Sequence, residues 1–263
     1  DLGFVSATLV GDAKLINDVC EKNGIDASKF EIIGNPDELK AVAQAVQLVH
    51  DGEGDVLMKG LCSTDKFLRA ILNKENGLLP PKGLLSHVGI LESPNYHKLL
   101  FLTDMAVLPL PDFRQKIKQT NFVVKVAKSF GIAKPKVAFL AASEQVLDSM
   151  PACMEAAALA KMVDRGQIRG CIADGPLALD VAIDNESVEI KKLVSPVAGD
   201  ADCLVFPNIE SANVFWKTNS KLSPGVRQAG MLVGTTAPCI LASRADSVDT
   251  KLNSIAEAVM SIL

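Results

Sequence analysis

The sequence predicts an α/β protein built on a largely parallel sheet. Three observations carry that expectation. Short apolar runs alternate with amphipathic helical patterns along the whole chain. The runs are nearly all apolar rather than alternating, as in strands covered on both faces. With 263 residues and 48% hydrophobic types, there is material for one large core or two linked ones.

The first strand is read over Gly3 to Val10 and the second over Phe30 to Gly34. Asn35-Pro36-Asp37-Glu38 then offers an N-cap, a proline at N1 and an acid at N3. Leu39, Val42, Val46 and Val49 follow at helical spacing. Asp55 to Met58 is a third strand. Leu84 to Leu91 and Leu99 to Asp104 are strand-like runs joined by residues 92–98. That loop is too short for a parallel crossover, so a hairpin and a mixed sheet are expected in the first half. Pro109, Pro111 and Pro135 bracket a helix from Asp112 to Phe130, and the domain change is placed near there. Further strands are read at Pro135 to Ala141, Gly170 to Ala173, Asp202 to Phe206, Gly230 to Gly234 and Cys239 to Ala242. A last helix carries Val248, Leu252, Ile255 and Val259 on one face. No internal repeat or low-complexity linker interrupts the series.

Composition narrows the functional classes. A net charge of −4 and 5% aromatics argue against a nucleic-acid binder, while leaving room for a local anion pocket. No apolar run approaches the roughly 18 residues of a membrane span, and the first residues lack a positively charged signal region. The six cysteines are scattered without a C-x-x-C pair. They read as reduced thiols of a cytoplasmic protein, and no metal site is expected from them. The phosphate-binding G-x-x-x-x-G-K-[ST] loop and the G-x-S-x-G elbow are absent. Gly52-Glu53-Gly54 precedes a strand and lacks the third glycine of a dinucleotide loop.

Three strand-to-helix junctions hold anion-gripping groups. In Ser243-Arg244-Ala245-Asp246-Ser247, a hydroxyl, a guanidinium and helix N–H groups could meet a phosphate, or serve as a plain cap. Lys59, Ser63, Thr64 and Arg69 form the second set, against a capped surface helix. The third is Asn208, Glu210 and Asn213. Asn208 is a good N-cap, and Asn213 sits inside a helix where asparagine has poor propensity. Asp180 and Asp184, four apart, could share a helix face as a Mg²⁺ pair, although a solvated face is commoner. His87 and His97 lack a triad partner in obvious order and read as structural histidines.

Two of these junctions resemble a known family. Ala201 to Lys217 (ADCLVFPNIESANVFWK) together with Ser243 to Ile255 (SRADSVDTKLNSI) is similar to the phosphate acetyl/butyryltransferases, and to their butyryl branch best. Met58-Lys59-Gly60, Leu85 to Val88 and Leu102 to Val107 fit as well, so the resemblance spans essentially the whole chain. It implies a two-domain architecture like that of isocitrate and isopropylmalate dehydrogenases, with residues 1–108 and 245–263 in one domain and 109–244 in the other. The site would lie in the cleft between them, and the protein would be a homodimer. Members usually carry further residues before the Gly-Phe-Val strand, so an upstream segment is expected.

The implied reaction converts acyl-CoA and inorganic phosphate into acyl phosphate and free CoA, with no metal or other cofactor. The resemblance assigns catalysis to Ser243 and Arg244. Substrate binding falls to Arg69, and less specifically to Lys59, Ser63, Thr64, Asn208, Glu210 and Asn213. Where acetyl-type members have an acid seven residues after the motif serine, this chain has Thr250. Asp249, one step earlier, is turned away by about 100°. Two other readings remain at this point. One is a metal-dependent NAD(P) decarboxylating dehydrogenase using Asp180 and Asp184. The other is a non-catalytic CoA-sensing domain.

Overall fold

In the computed structural model, which describes residues 2–243 and 246–263, strands and helices alternate as expected. In chain order they are β1 (Thr8–Gly11), α1 (Ala13–Lys22), β2 (Glu31–Gly34), α2 (Glu38–His50), β3 (Leu57–Met58), α3 (Thr64–Ile71), β4 (Ser86–Glu92), β5 (Leu100–Thr103), α4 (Phe113–Ser129), β6 (Lys136–Leu140), α5 (Pro151–Asp164), β7 (Ile172–Leu177), α6 (Leu179–Ile183), α7 (Asn185–Lys191), β8 (Cys203–Val205), α8 (Ile209–Leu222), β9 (Arg227–Val233), β10 (Cys239–Ile240) and α9 (Val248–Met260).

Eight strands form one mixed sheet in the order β3-β10-β9-β4-β5-β8-β6-β7. β5, β8, β6 and β7 run parallel to one another. β3 and β10 are parallel too, but point the opposite way, because the antiparallel pair β4–β9 stands between the two sets. The expected hairpin is β4–β5, with Gly89 opposite Leu102. β1 and β2 pair only with each other. They are half-exposed rather than covered on both faces, since a two-stranded sheet at the periphery meets helices on one side.

Strand alternation sorts the core into three clusters. Phe101, Phe139, Val137, Met231 and Ile240 face α4, α5 and α9. On the opposite face Leu102, Leu140, Leu204 and Phe206 pack with α6 and α8. Also on that face, Leu57, Leu85, Leu232 and Cys239 pack with α2 and α3. Fully burying a side chain such as Phe101 contributes about 1.5–3 kcal/mol, so this three-layer packing dominates stability. All six cysteines are free thiols.

Local signals acted as physics requires, with two shifts. α4 begins with a reciprocal capping box, Gln115 N–H donating to Asp112 at 2.8 Å and Asp112 N–H to Gln115 Oε1 at 2.8 Å. α2 is capped not by Asn35 but by Asp37, which accepts from the Leu39 and Lys40 N–H groups. Asn35 instead reaches Gln44. In α9 the expected stripe is rotated. Val248 is 79% exposed, whereas Ser254, Glu257 and Ala258 are buried. Ser254 is drawn inward because its Oγ accepts the Gly230 N–H at 3.0 Å, tying α9 to β9.

Candidate active site

The second and third core clusters share one face of the sheet and meet at β4 and β9, where strand direction reverses. Two glycines floor this line. A Cβ on Gly89 would stand 2.8 Å from the Trp216 ring, and one on Gly230 would stand 2.8 Å from His87 Cε1. Side chains from both sides therefore close directly onto the backbone here.

On one side of the line is a hub built at the end of β5. Asp104, 3% exposed, accepts from Ser86 Oγ at 2.7 Å and from the N–H groups of His87 (3.2 Å), Ala106 (2.8 Å) and Val107 (2.9 Å). The peptide between Thr103 and Asp104 is cis. The hub sets the course of residues 104–108, and so fixes Met105. Met105 O accepts from Asn213 Nδ2 at 3.0 Å, which explains an asparagine in the middle of α8. Met105 Sδ lies 2.7 Å from His87 Nδ1.

On the other side is Lys59, at the end of β3. Its backbone N–H continues the ladder to Ile240 O at 3.0 Å, and its side chain follows Leu57 onto the same face. It is 6% exposed. Its ammonium donates to Gly60 O (3.0 Å) and Cys62 O (3.2 Å), and no carboxylate pairs with it among the described residues. A buried ammonium with carbonyl partners alone favours an incoming anion. Next along the face is the end of β10. There Ser243 N–H donates to Asp246 at 2.7 Å, and Ser247 caps α9 through the Thr250 N–H at 3.1 Å. Arg244 lies outside the described residues.

The remaining expected residues divide. Ser63 caps α3 through the Lys66 N–H, and its own N–H donates to Glu38 at 3.2 Å. Glu38 also pairs with Lys66. The positive end of α3 thus already holds a carboxylate of this chain. Thr64 is exposed. Arg69 is exposed over 80% of its side chain and paired with Asp65. Asn208 caps α8 by accepting from the Ser211 N–H at 2.9 Å, and Glu210 is exposed.

Asp180 and Asp184 do not form the helix-face pair expected from their spacing. The chain breaks between α6 and α7, so Asp184 caps α7 while Asp180 turns to Lys191 at 2.8 Å. No group of three His, Cys, Asp or Glu side chains is placed to hold a metal among the described residues. His97 is structural as read, with Nε2 2.8 Å from Asp200. His87 is not remote from the site. Asp104, Ser86 and Met105, within segments that carry the resemblance, and Gly230 were not among the expected site residues. An acid directly after an apolar strand was the available signal for the first.

The fold is of the dehydrogenase-like α/β type. A putative 4-hydroxythreonine-4-phosphate dehydrogenase from Salmonella typhimurium superposes with a TM-score of 0.56 at 11% identity, over 97% of this chain and 89% of that one. A branched-chain phosphotransacylase from Enterococcus faecalis V583 is much nearer. Its TM-score is 0.84 at 27% identity, over 97% of this chain and 99% of that one. In sequence, the phosphate butyryltransferase of Clostridium acetobutylicum is 47% identical over 258 residues, 98% of this chain and 85% of that protein. The chain matches the phosphate acetyl/butaryl transferase family over residues 3–259, and it belongs to that family.

Proposed function

We propose that this chain catalyses reversible transfer of a short acyl group, of butyryl or branched size, between CoA and inorganic phosphate. The observation that carries the proposal is the 47% identity to a phosphate butyryltransferase over 98% of the chain. The uncompensated ammonium of Lys59 supports it by giving an anion a reason to enter.

In this reading phosphate oxygen attacks the thioester carbonyl directly within a ternary complex, so the enzyme's task is positioning and charge stabilisation. Arg244 holds phosphate and the developing oxyanion. The Ser243 hydroxyl donates to the carbonyl oxygen or the departing sulfur. Lys59 adds charge from the neighbouring strand. Asn213 acts through Met105 rather than on substrate. Ser63, Thr64, Arg69, Asn208 and Glu210 line the approach for the larger CoA. The two lobes would be residues 1–108 with 245–263, and 109–244, working as a homodimer in the cytoplasm. Among the described residues no helix is long and apolar enough to cross a membrane.

The test is thiol release from acetyl-, propionyl-, butyryl- and isobutyryl-CoA, with and without phosphate. Phosphate-dependent release, fastest with the four-carbon substrates, is expected. Arg244→Ala should abolish it while the fold persists. Absence of phosphate-dependent release from every acyl-CoA would refute the reading.

A further inference from the structure

His87 is a buried titratable side chain on this face that the reaction above leaves idle. It is 6% exposed and, by alternation, lies on the face of Leu85 and Leu232, the face that also receives Lys59. Its Nδ1 is against Met105 Sδ. A thioether sulfur can only accept, so a neutral imidazole there carries its proton on Nδ1 and its lone pair on Nε2. Burial holds the ring neutral. It pushes the His87 pKa down against the opposing pull of the Asp104 and Asp246 carboxylates. Nε2 makes no hydrogen bond among the described residues. It is held over Gly230, where a Cβ would come within 3.0 Å of it. Asp246, close enough to act on the ring electrostatically, also accepts the Ser243 N–H. Thr250 offers no alternative acid at α9, its N–H and hydroxyl both being engaged with Ser247.

We infer that His87 is a catalytic residue whose Nε2 accepts the proton of the attacking hydrogen phosphate. The inference rests on the acyl-transfer reading above. An oxygen of HPO₄²⁻ forms the new O–C bond, and the C–S bond breaks with its electron pair leaving on sulfur. The phosphate proton passes to Nε2 and then to the CoA thiolate. The products are acyl phosphate dianion and CoA thiol, with protons and charge balanced and no further reactant needed.

The experiment compares wild type, His87→Ala and His87→Gln, with folding followed by thermal unfolding. Loss of a general base predicts a fall in kcat of about 100-fold or more, with the KM for acyl-CoA nearly unchanged. Added imidazole should restore part of the His87→Ala turnover, which a packing role would not allow. In the wild-type protein, imidazole ¹⁵N signals should show a bare Nε2 whose shift moves when inorganic phosphate is added. Folded His87 variants with wild-type kcat would overturn the inference. So would a wild-type Nε2 signal indifferent to phosphate, and that measurement decides alone if the variants do not fold. Wild type inactive with every acyl-CoA would instead sink the proposed function.

Discussion

Asp104→Ala removes the acceptor on which the end of β5 is organised. Ser86 Oγ and the His87 N–H are buried, so both would lose their partner with no route to water. Each such orphan costs roughly 1–3 kcal/mol. The N–H groups of Ala106 and Val107 belong to an exposed and a half-buried residue, and water can partly replace the carboxylate there. The sum is about 4 kcal/mol, a large share of the roughly 5–15 kcal/mol typical of a domain. Asp104→Asn keeps one carbonyl oxygen for the loop N–H groups but presents an NH₂ to the others, so about half that loss is expected. The single tryptophan, Trp216, packs beside Gly89 near this hub and reports unfolding in urea. A loss under about 1 kcal/mol for Asp104→Ala at unchanged m-value would refute the hub.

Three further outcomes are expected. Lys59→Met should raise the KM for phosphate by about 10- to 100-fold, the scale of a charged hydrogen bond, with the KM for CoA little moved in steady-state assays. Burial raises the pKa of Asp200, but hydrogen bonds from Lys136, Lys98 and His97 outweigh it and hold the carboxyl well below its usual range. Its contribution to stability is therefore present above about pH 4 and lost as pH falls toward the lowered pKa. Asp200→Asn should flatten that acid limb in urea titrations between pH 2 and 5. Glu257 is 1% exposed, neither carboxylate oxygen has a hydrogen-bond partner among the described residues, and burial pushes its pKa well up. The folded state then keeps a proton that the unfolded chain loses above about pH 4.5, so stability falls as pH rises from there. Glu257→Gln should stabilise more at pH 8 than at pH 5 by thermal unfolding, and equal shifts at both would contradict the burial argument.

The alternation of elements, the β4–β5 hairpin and the α4 cap were legible because each depends on residues near in sequence. The site was legible only in part, for the same reason. Lys59 and Ser243 could be picked out at their own strand ends, but that β3 and β10 are neighbours is a long-range pairing that no local signal encodes. His87 was read as structural, and its neighbours Met105 and Asp246 lie 18 and more residues away, beyond any local signal. Asp180 and Asp184 are exposed, as the commoner reading had it, but the helix break that Asp184 caps separates them, which spacing alone does not show. The α9 stripe was misjudged because hydrophobicity alone ranks Val248 above Ser254. The structure ranks them by which side chain can answer the Gly230 N–H.

The order of the sheet has a consequence for synthesis. β3 and β4 are never adjacent; β9 and β10, from residues 227–240, stand between them. β3 joins the rest of the sheet through β10, and α9 packs on β10 and β9. A nascent chain must therefore keep the apolar edges of β3 and β4 unpaired until residues 227–240 emerge. A chain truncated near residue 225 would leave the edges of β3 and β4 open, and such edges invite aggregation.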